Sequence, residues 1–136
     1  MIEKWLRDFH EKYGHLTSDR VLYDCPPEIL ELRLQLIREE VIKELIPVLE
    51  SMIAARKMGV VIDRATMADA FDGVLDSVYV LVGTCISLGL PFEQGFQEVH
   101  MSNMTKTAVK AAPGQKYGTK NPKGPDFRPP DLARLL

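Results

Sequence analysis

The sequence predicts an all-α fold: a four-helix, bundle-like domain over residues 1–107, followed by an extended basic arm over 108–136. Three observations carry this reading. Apolar residues recur at helical spacing through four stretches, and no stretch shows the two-residue alternation of a strand. From Ala108 onward the chain turns rich in Pro, Gly and Lys, a composition that denies it a long helix.

The first helix covers residues 2–13, with Ile2, Trp5, Leu6, Phe9 and Tyr13 apolar and Gly14 as its stop. His10 and His15 close this segment without partners at metal-ligand spacing and read as structural. A polar loop over 15–26 ends at Cys25-Pro26-Pro27. A long helical pattern then runs from about Pro27 to Lys57, with Pro27 suited to a first turn. Pro47 falls inside it, lacks an N–H and crowds the carbonyl of Lys43, so a kink or break is expected there. Gly59 ends the segment, and Val60–Thr66 connects to an apolar helix over Met67–Leu90. A last helix is expected from about Pro91 to Lys106.

Composition sets the class. The chain has 136 residues, hydrophobic 46%, charged 26%, and a net charge of −2, ordinary for one globular domain. No apolar run reads as a membrane span, and the start, MIEKWLRDFHEK, carries acids, unlike a signal or transit peptide, so the expected location is cytoplasmic. Cys25 and Cys85 have no metal-like spacing and read as reduced thiols. Charge is uneven: Thr105–Leu136 carries seven Lys/Arg against two Asp/Glu, and the preceding residues ten against seventeen. An acidic body with a basic tail fits a metal–phosphate site better than nucleic acid, which calls for a broad basic face.

The acids themselves are patterned. Asp69, Asp72 and Asp76 lie within about 60° of one another around the apolar helix, with Tyr79 and Gly83 on the same stripe. Tyr79 either closes a site there or packs. On the long helix Glu40 and Glu44 share a face, and Glu39 lies about 100° from Glu40. Either cluster alone is commonplace on a solvated surface. Two antiparallel helices can instead bring both around one point, where repulsion demands cations. Hard oxygen ligands without Cys or His select Mg²⁺, with Mn²⁺ as a substitute, and Mg²⁺ suits phosphoanhydride hydrolysis.

Leu34-Gln35-Leu36-Ile37-Arg38-Glu39-Glu40 and, further on, Asp72-Gly73-Val74-Leu75-Asp76-Ser77-Val78-Tyr79-Val80 resemble motifs of the MazG-like all-α nucleoside-triphosphate pyrophosphatases. The likeness extends to Phe96-Gln97-Glu98-Val99-His100-Met101-Ser102-Asn103-Met104-Thr105-Lys106, to Lys123-Gly124-Pro125 and to Pro129-Pro130-Asp131-Leu132. These segments are similar to the phosphoribosyl-ATP pyrophosphohydrolase-like, or phage-type, branch. The resemblance implies a MazG-type fold and cleavage of a nucleoside triphosphate between its α and β phosphates, giving monophosphate and pyrophosphate. It implies Mg²⁺ held by Glu39, Glu40, Asp72 and Asp76, with Glu39, Glu40 and Asp76 catalytic, and substrate contacts from Asn103 and Lys106. Two positions depart from the family pattern. Lys43 stands where EExxE has its third glutamate, with Glu44 one residue later, and Gly73 stands where ExxD has its glutamate. Either Glu44 turns inward as a metal ligand, or Lys43 points into the site and replaces part of a cation's charge against the substrate.

Two other functions compete with the hydrolase. One is a catalytically impaired helical protein that binds nucleotide or a partner; the other is phosphoribosyl-ATP pyrophosphohydrolase itself. Trp5, Phe92 and Phe96 need cover, and the arm with Tyr117, Phe127, Leu132, Leu135 and Leu136 needs a surface to dock on. A homodimer or homotetramer is therefore expected, its arm on the same or a neighbouring subunit and Lys116, Lys120 or Lys123 brought toward a phosphate.

Overall fold

A computed structural model describes residues 1–109, 113–114 and 120–136; Lys116 and Tyr117 lie outside the described residues. The chain divides into two compact units, Met1–Leu90 and Pro91–Leu136. The all-α expectation holds: four main helices, and no strand among the described residues. The expected boundary at residue 107 falls inside the second unit, because the last helix groups with the arm.

In the first unit, α1 (Ile2–Tyr13) buries Leu6 and His10, one turn apart, and stops at Gly14 in the left-handed conformation, φ 72°. That glycine is needed, since an L side chain is strained at such a φ. The loop after it is tied to the end of α4 (Arg64–Leu88). Ser18 N–H donates to Ile86 O at 3.1 Å, Leu22 N–H to Leu88 O at 3.0 Å, and Ser87 Oγ to Leu16 O at 3.0 Å.

The long helix does not break at Pro47. α2 (Pro27–Ile37) passes into a π-helical stretch, Arg38–Leu45, which leads straight into α3 (Ile46–Lys57). Pro47 sits in the first turn of α3, where its missing N–H matters least. The wider π turns, bonded five residues back rather than four, take up one extra residue just before the proline. Helical dihedrals continue through the join, at φ −65°, ψ −50° for Leu45 and φ −59°, ψ −50° for Ile46.

α4 begins three residues earlier than its apolar pattern, because Asp63 caps it by accepting Thr66 N–H at 2.7 Å. Its buried positions include Ala70, Gly73, Ser77, Val80, Gly83 and Ile86. Small residues dominate this stripe, so α1, α2 and the π stretch come close to the α4 backbone. Gly73 illustrates this: a Cβ there would lie 3.4 Å from Leu45 Cα. The larger apolar residues of α4, Met67, Phe71, Val74, Leu75, Val78 and Leu81, remain exposed. By length and composition α4 could cross a bilayer, contrary to the sequence expectation of no such run, yet it is the helix on which the other elements of this unit pack.

In the second unit, α5 (Phe92–Asn103) is shorter than expected, ending at Asn103 rather than Lys106. The described arm folds back on it through one buried carboxylate. Glu98 accepts Arg128 Nη1 at 2.6 Å, Asp131 N–H at 3.0 Å and Arg134 Nη2 at 2.9 Å. These donors hold its pKa down at about 2, the Arg128 hydrogen bond contributing most. Ser102 Oγ donates to Arg128 O at 2.7 Å, and a 3₁₀ turn at Ala133–Leu135 closes the chain.

Candidate active site

The π stretch and α4 bring three of the expected carboxylates together. Oxygens of Glu40, Glu44 and Asp76 all lie within 4.8 Å of one another. The π turn explains which acids meet. Each residue in it advances by a smaller rotation than in an α-helix, so the residue four positions after Glu40 stays in line with it and the residue three after falls away. Glu44 is thereby presented beside Glu40, and Lys43 is turned out. Lys43 is exposed and lines a separate groove with Arg38 and Glu39.

Glu39 and Asp72 flank the triad closely enough for their charges to act on Glu40. Glu39 is half-buried and accepts Gln35 Nε2 at 3.1 Å. Asp72 is exposed, and so is Asp69. Burial raises the Glu40 pKa, and the charges of Glu44, Asp76, Glu39 and Asp72 push it further in the same direction. No ion pair relieves these acids among the described residues. Carboxylates gathered without a counter-charge, offering oxygen and neither sulfur nor imidazole, fit a hard divalent cation. At Gly73 the helix packs against Leu45 of the π stretch, where a Cβ would make ordinary contact at 3.4–3.5 Å.

A cavity of about 260 Å³ adjoins the triad and shares Glu40 and Asp76 with it. Its wall also includes Leu6, Phe9, His10, His15, Arg33 and Tyr79. Phe9 meets Tyr79 edge to face at 5.3 Å, and burial raises the Tyr79 hydroxyl pKa. Arg33 and His10 are buried. Sequence reading assigned no function to Phe9, Arg33, His10 or His15. One signal was available: Arg33 stands within Ile29-Leu30-Glu31-Leu32-Arg33-Leu34, a cation amid an apolar run that has to be bonded if buried. Asn103, Lys106 and the exposed His100 belong to the second unit, where Lys106 N–H donates to Asn103 O at 3.1 Å. Lys123 Nζ lies 5.0 Å from the centre of the Phe127 ring, and Lys120 is exposed.

Helices that gather acids from two elements beside a ring-lined cavity have the build of an enzyme site, and these acids could hold a metal ion. Residues 6–103 match the family model described as phosphoribosyl-ATP pyrophosphohydrolase, and the chain belongs to that family. It is thus a hydrolase of phosphoric anhydride bonds within the MazG-like all-α superfamily. No curated protein matches the chain.

Proposed function

We propose that the protein is a Mg²⁺-dependent nucleoside triphosphate pyrophosphohydrolase that cleaves between the α and β phosphates. The meeting of Glu40, Glu44 and Asp76 beside an open cavity carries this reading. Glu40, Glu44 and Asp76 hold the cation, with Asp72 and Glu39 adding negative potential at the flank. Bound there, Mg²⁺ supplies charge neutralisation of the phosphate oxygens and a lowered water pKa. The water oxygen bonds to the α-phosphorus, and the α–β bridging oxygen leaves with pyrophosphate. A carboxylate of the cluster, or Glu39 at its flank, accepts the proton given up by the water. Tyr79 walls the cavity, and the family resemblance assigns substrate contacts to Asn103 and Lys106.

The family description supports phosphoribosyl-ATP as substrate equally well. Both reactions release pyrophosphate and share the acids. An impaired binding protein is the weaker reading, because Lys43 lines a separate groove and Glu44 stands beside Glu40 and Asp76. Purified protein with Mg²⁺ or Mn²⁺, offered ribo- and deoxyribonucleoside triphosphates and phosphoribosyl-ATP, decides the matter through separate pyrophosphate and orthophosphate readouts. Turnover persisting in excess EDTA, or orthophosphate as the sole product, refutes the proposal.

We also infer a cytoplasmic homodimer or homotetramer. The exposed apolar face of α4 supports the oligomer, together with an apolar groove lined by Leu49, Met52, Met67, Phe71 and Val74. A stable dimer buries about 800 Å² on each partner, and a large apolar face on a lone chain invites such cover. Light scattering that shows a monomer refutes it.

A further inference from the structure

The cavity beside the triad contains two buried polar groups that the hydrolytic reading leaves without work. Arg33 is 4% exposed. Its Nη2 donates to Val80 O at 2.7 Å and its Nε to Thr84 Oγ1 at 3.2 Å, and no carboxylate pairs with it among the described residues. A buried guanidinium held only by neutral oxygens is costly, and a further acceptor in the cavity would offset part of that cost. His10 is 1% exposed, with Nδ1 3.0 Å from Leu16 O. A carbonyl only accepts, so Nδ1 carries the proton, and the neutral ring is left with a lone pair on Nε2. Burial holds the His10 pKa below its ordinary value and outweighs the hydrogen bond to Leu16 O, which raises it; the nearby Arg33, His15 and Arg7 charges add to the lowering and favour the neutral ring.

These two groups are neighbours. A methyl placed on Gly83 would lie 2.6 Å from Arg33 Nη2 and 3.0 Å from His10 Nε2. The cavity therefore presents a charged donor next to a neutral acceptor. Phe9, Tyr79 and His15 supply ring walls; Phe9 lies 5.3 Å from Tyr79 and 5.7 Å from His15 between centroids. At about 260 Å³ the space is smaller than the roughly 300–1,000 Å³ of whole-ligand pockets and suits one planar ring with part of a sugar. A phosphate fits it poorly, since the Nε2 lone pair would face an anion.

We propose that this cavity is the nucleobase subsite, in which Arg33 donates to a ring carbonyl and His10 Nε2 accepts the adjacent ring N–H. That pairing selects bases with an O=C–N–H edge: uracil, thymine, guanine and hypoxanthine. The guanidinium takes the carbonyl because an exocyclic oxygen offers two lone pairs to its fork, whereas the ring nitrogen of adenine or cytosine offers one. The proposal rests on the pyrophosphohydrolase reading for the phosphate end, where Glu40 and Asp76 form the shared wall.

The test measures binding and turnover separately. Calorimetry of the intact protein with Mg²⁺ compares dUMP, dTMP and dGMP with dCMP and dAMP. Pyrophosphate release is followed from the five matching triphosphates. The expected result is about tenfold to a hundredfold tighter binding and higher kcat/KM for the first group, the discrimination of one paired donor–acceptor contact. Arg33→Lys, which keeps the charge and loses the fork, should flatten that preference; the wild-type comparison stands alone if this variant fails to fold. Equal affinity for all five, or a preference for dCMP and dAMP, overturns the subsite even if every triphosphate is hydrolysed. Selective binding of dUMP, dTMP and dGMP without any turnover upholds the subsite and refutes the hydrolytic reading instead. No binding of any monophosphate overturns it.

Discussion

Replacing Gly83 with alanine tests the packing of Arg33 and His10 directly. In a helix interior the change alone should stabilise by about 1 kcal/mol. Here the new Cβ would sit 2.6 Å from Arg33 Nη2, 3.3 Å from Arg33 Cζ and 3.0 Å from His10 Nε2, all inside ordinary contact distance. The guanidinium has to withdraw by roughly 1 Å, which stretches the 2.7 Å bond from Nη2 to Val80 O beyond usefulness. Losing a charge-assisted hydrogen bond in a buried place costs about 1.5–3 kcal/mol, and overpacking adds about 1–3 kcal/mol. The net expectation is a destabilisation of about 2–4 kcal/mol, or a fall in Tm of roughly 10 °C for a chain of this size. Thermal denaturation followed by circular dichroism at one fixed protein concentration measures it. Gly73→Ala is the control: its Cβ would meet Leu45 at 3.4–3.5 Å, ordinary contact, so Tm should move by no more than a few degrees. A Gly83→Ala protein as stable as the parent, or more so, would refute the account of how Arg33 is held.

Three further outcomes are expected. Glu44→Gln should weaken Mn²⁺ binding at least tenfold in a metal titration, while Lys43→Gln leaves it within twofold; the reverse order would mean that the π stretch does not present Glu44. Mg²⁺ at a hundred times its Kd should raise stability by about 2.7 kcal/mol over the EDTA-treated protein, and Asp76→Asn should remove most of that increment in parallel melts. Glu98, its pKa depressed from an ordinary 4.5 to about 2, contributes stability that is complete above pH 4.5 and lost as pH falls toward 2. Hydrogen exchange should therefore show the arm loosening from α5 over that window. Glu98→Gln should loosen it already at pH 7, with little further change on acidification.

The helical architecture was legible because each helix carries its own period and punctuation. α1 ends at Gly14 as its pattern requires, and the acids of the long helix and of α4 were each visible as a stripe. Other features lay outside what a periodic pattern can express. A π turn has no residue signature of its own, and Pro47 announced a disturbance without its form. The buried stripe of α4 is made of Ala70, Gly73, Ser77 and Gly83, whose role is to let backbones approach, whereas hydropathy gives more weight to Phe71 and Leu75. Arg33 and His10 become a pair only through Gly83, fifty and seventy-three residues away along the chain. Glu98 looks like any surface acid until the arm returns to bond it.

The extra residue in the π stretch shows that a motif defined by spacing is a statement about rotation. Glu44 reaches the triad although it stands one letter away from its column, because the turn in between is wider. A search that counts letters would score Lys43 as a lost ligand and the chain as inactive. A deletion of Lys43, which by letter count repairs EExxE, tests the same point from the other direction. It can help only if the helix tightens to α geometry up to Pro47. Chains that differ by one residue in this helix can thus display the same chemistry, provided that a widened turn travels with the insertion.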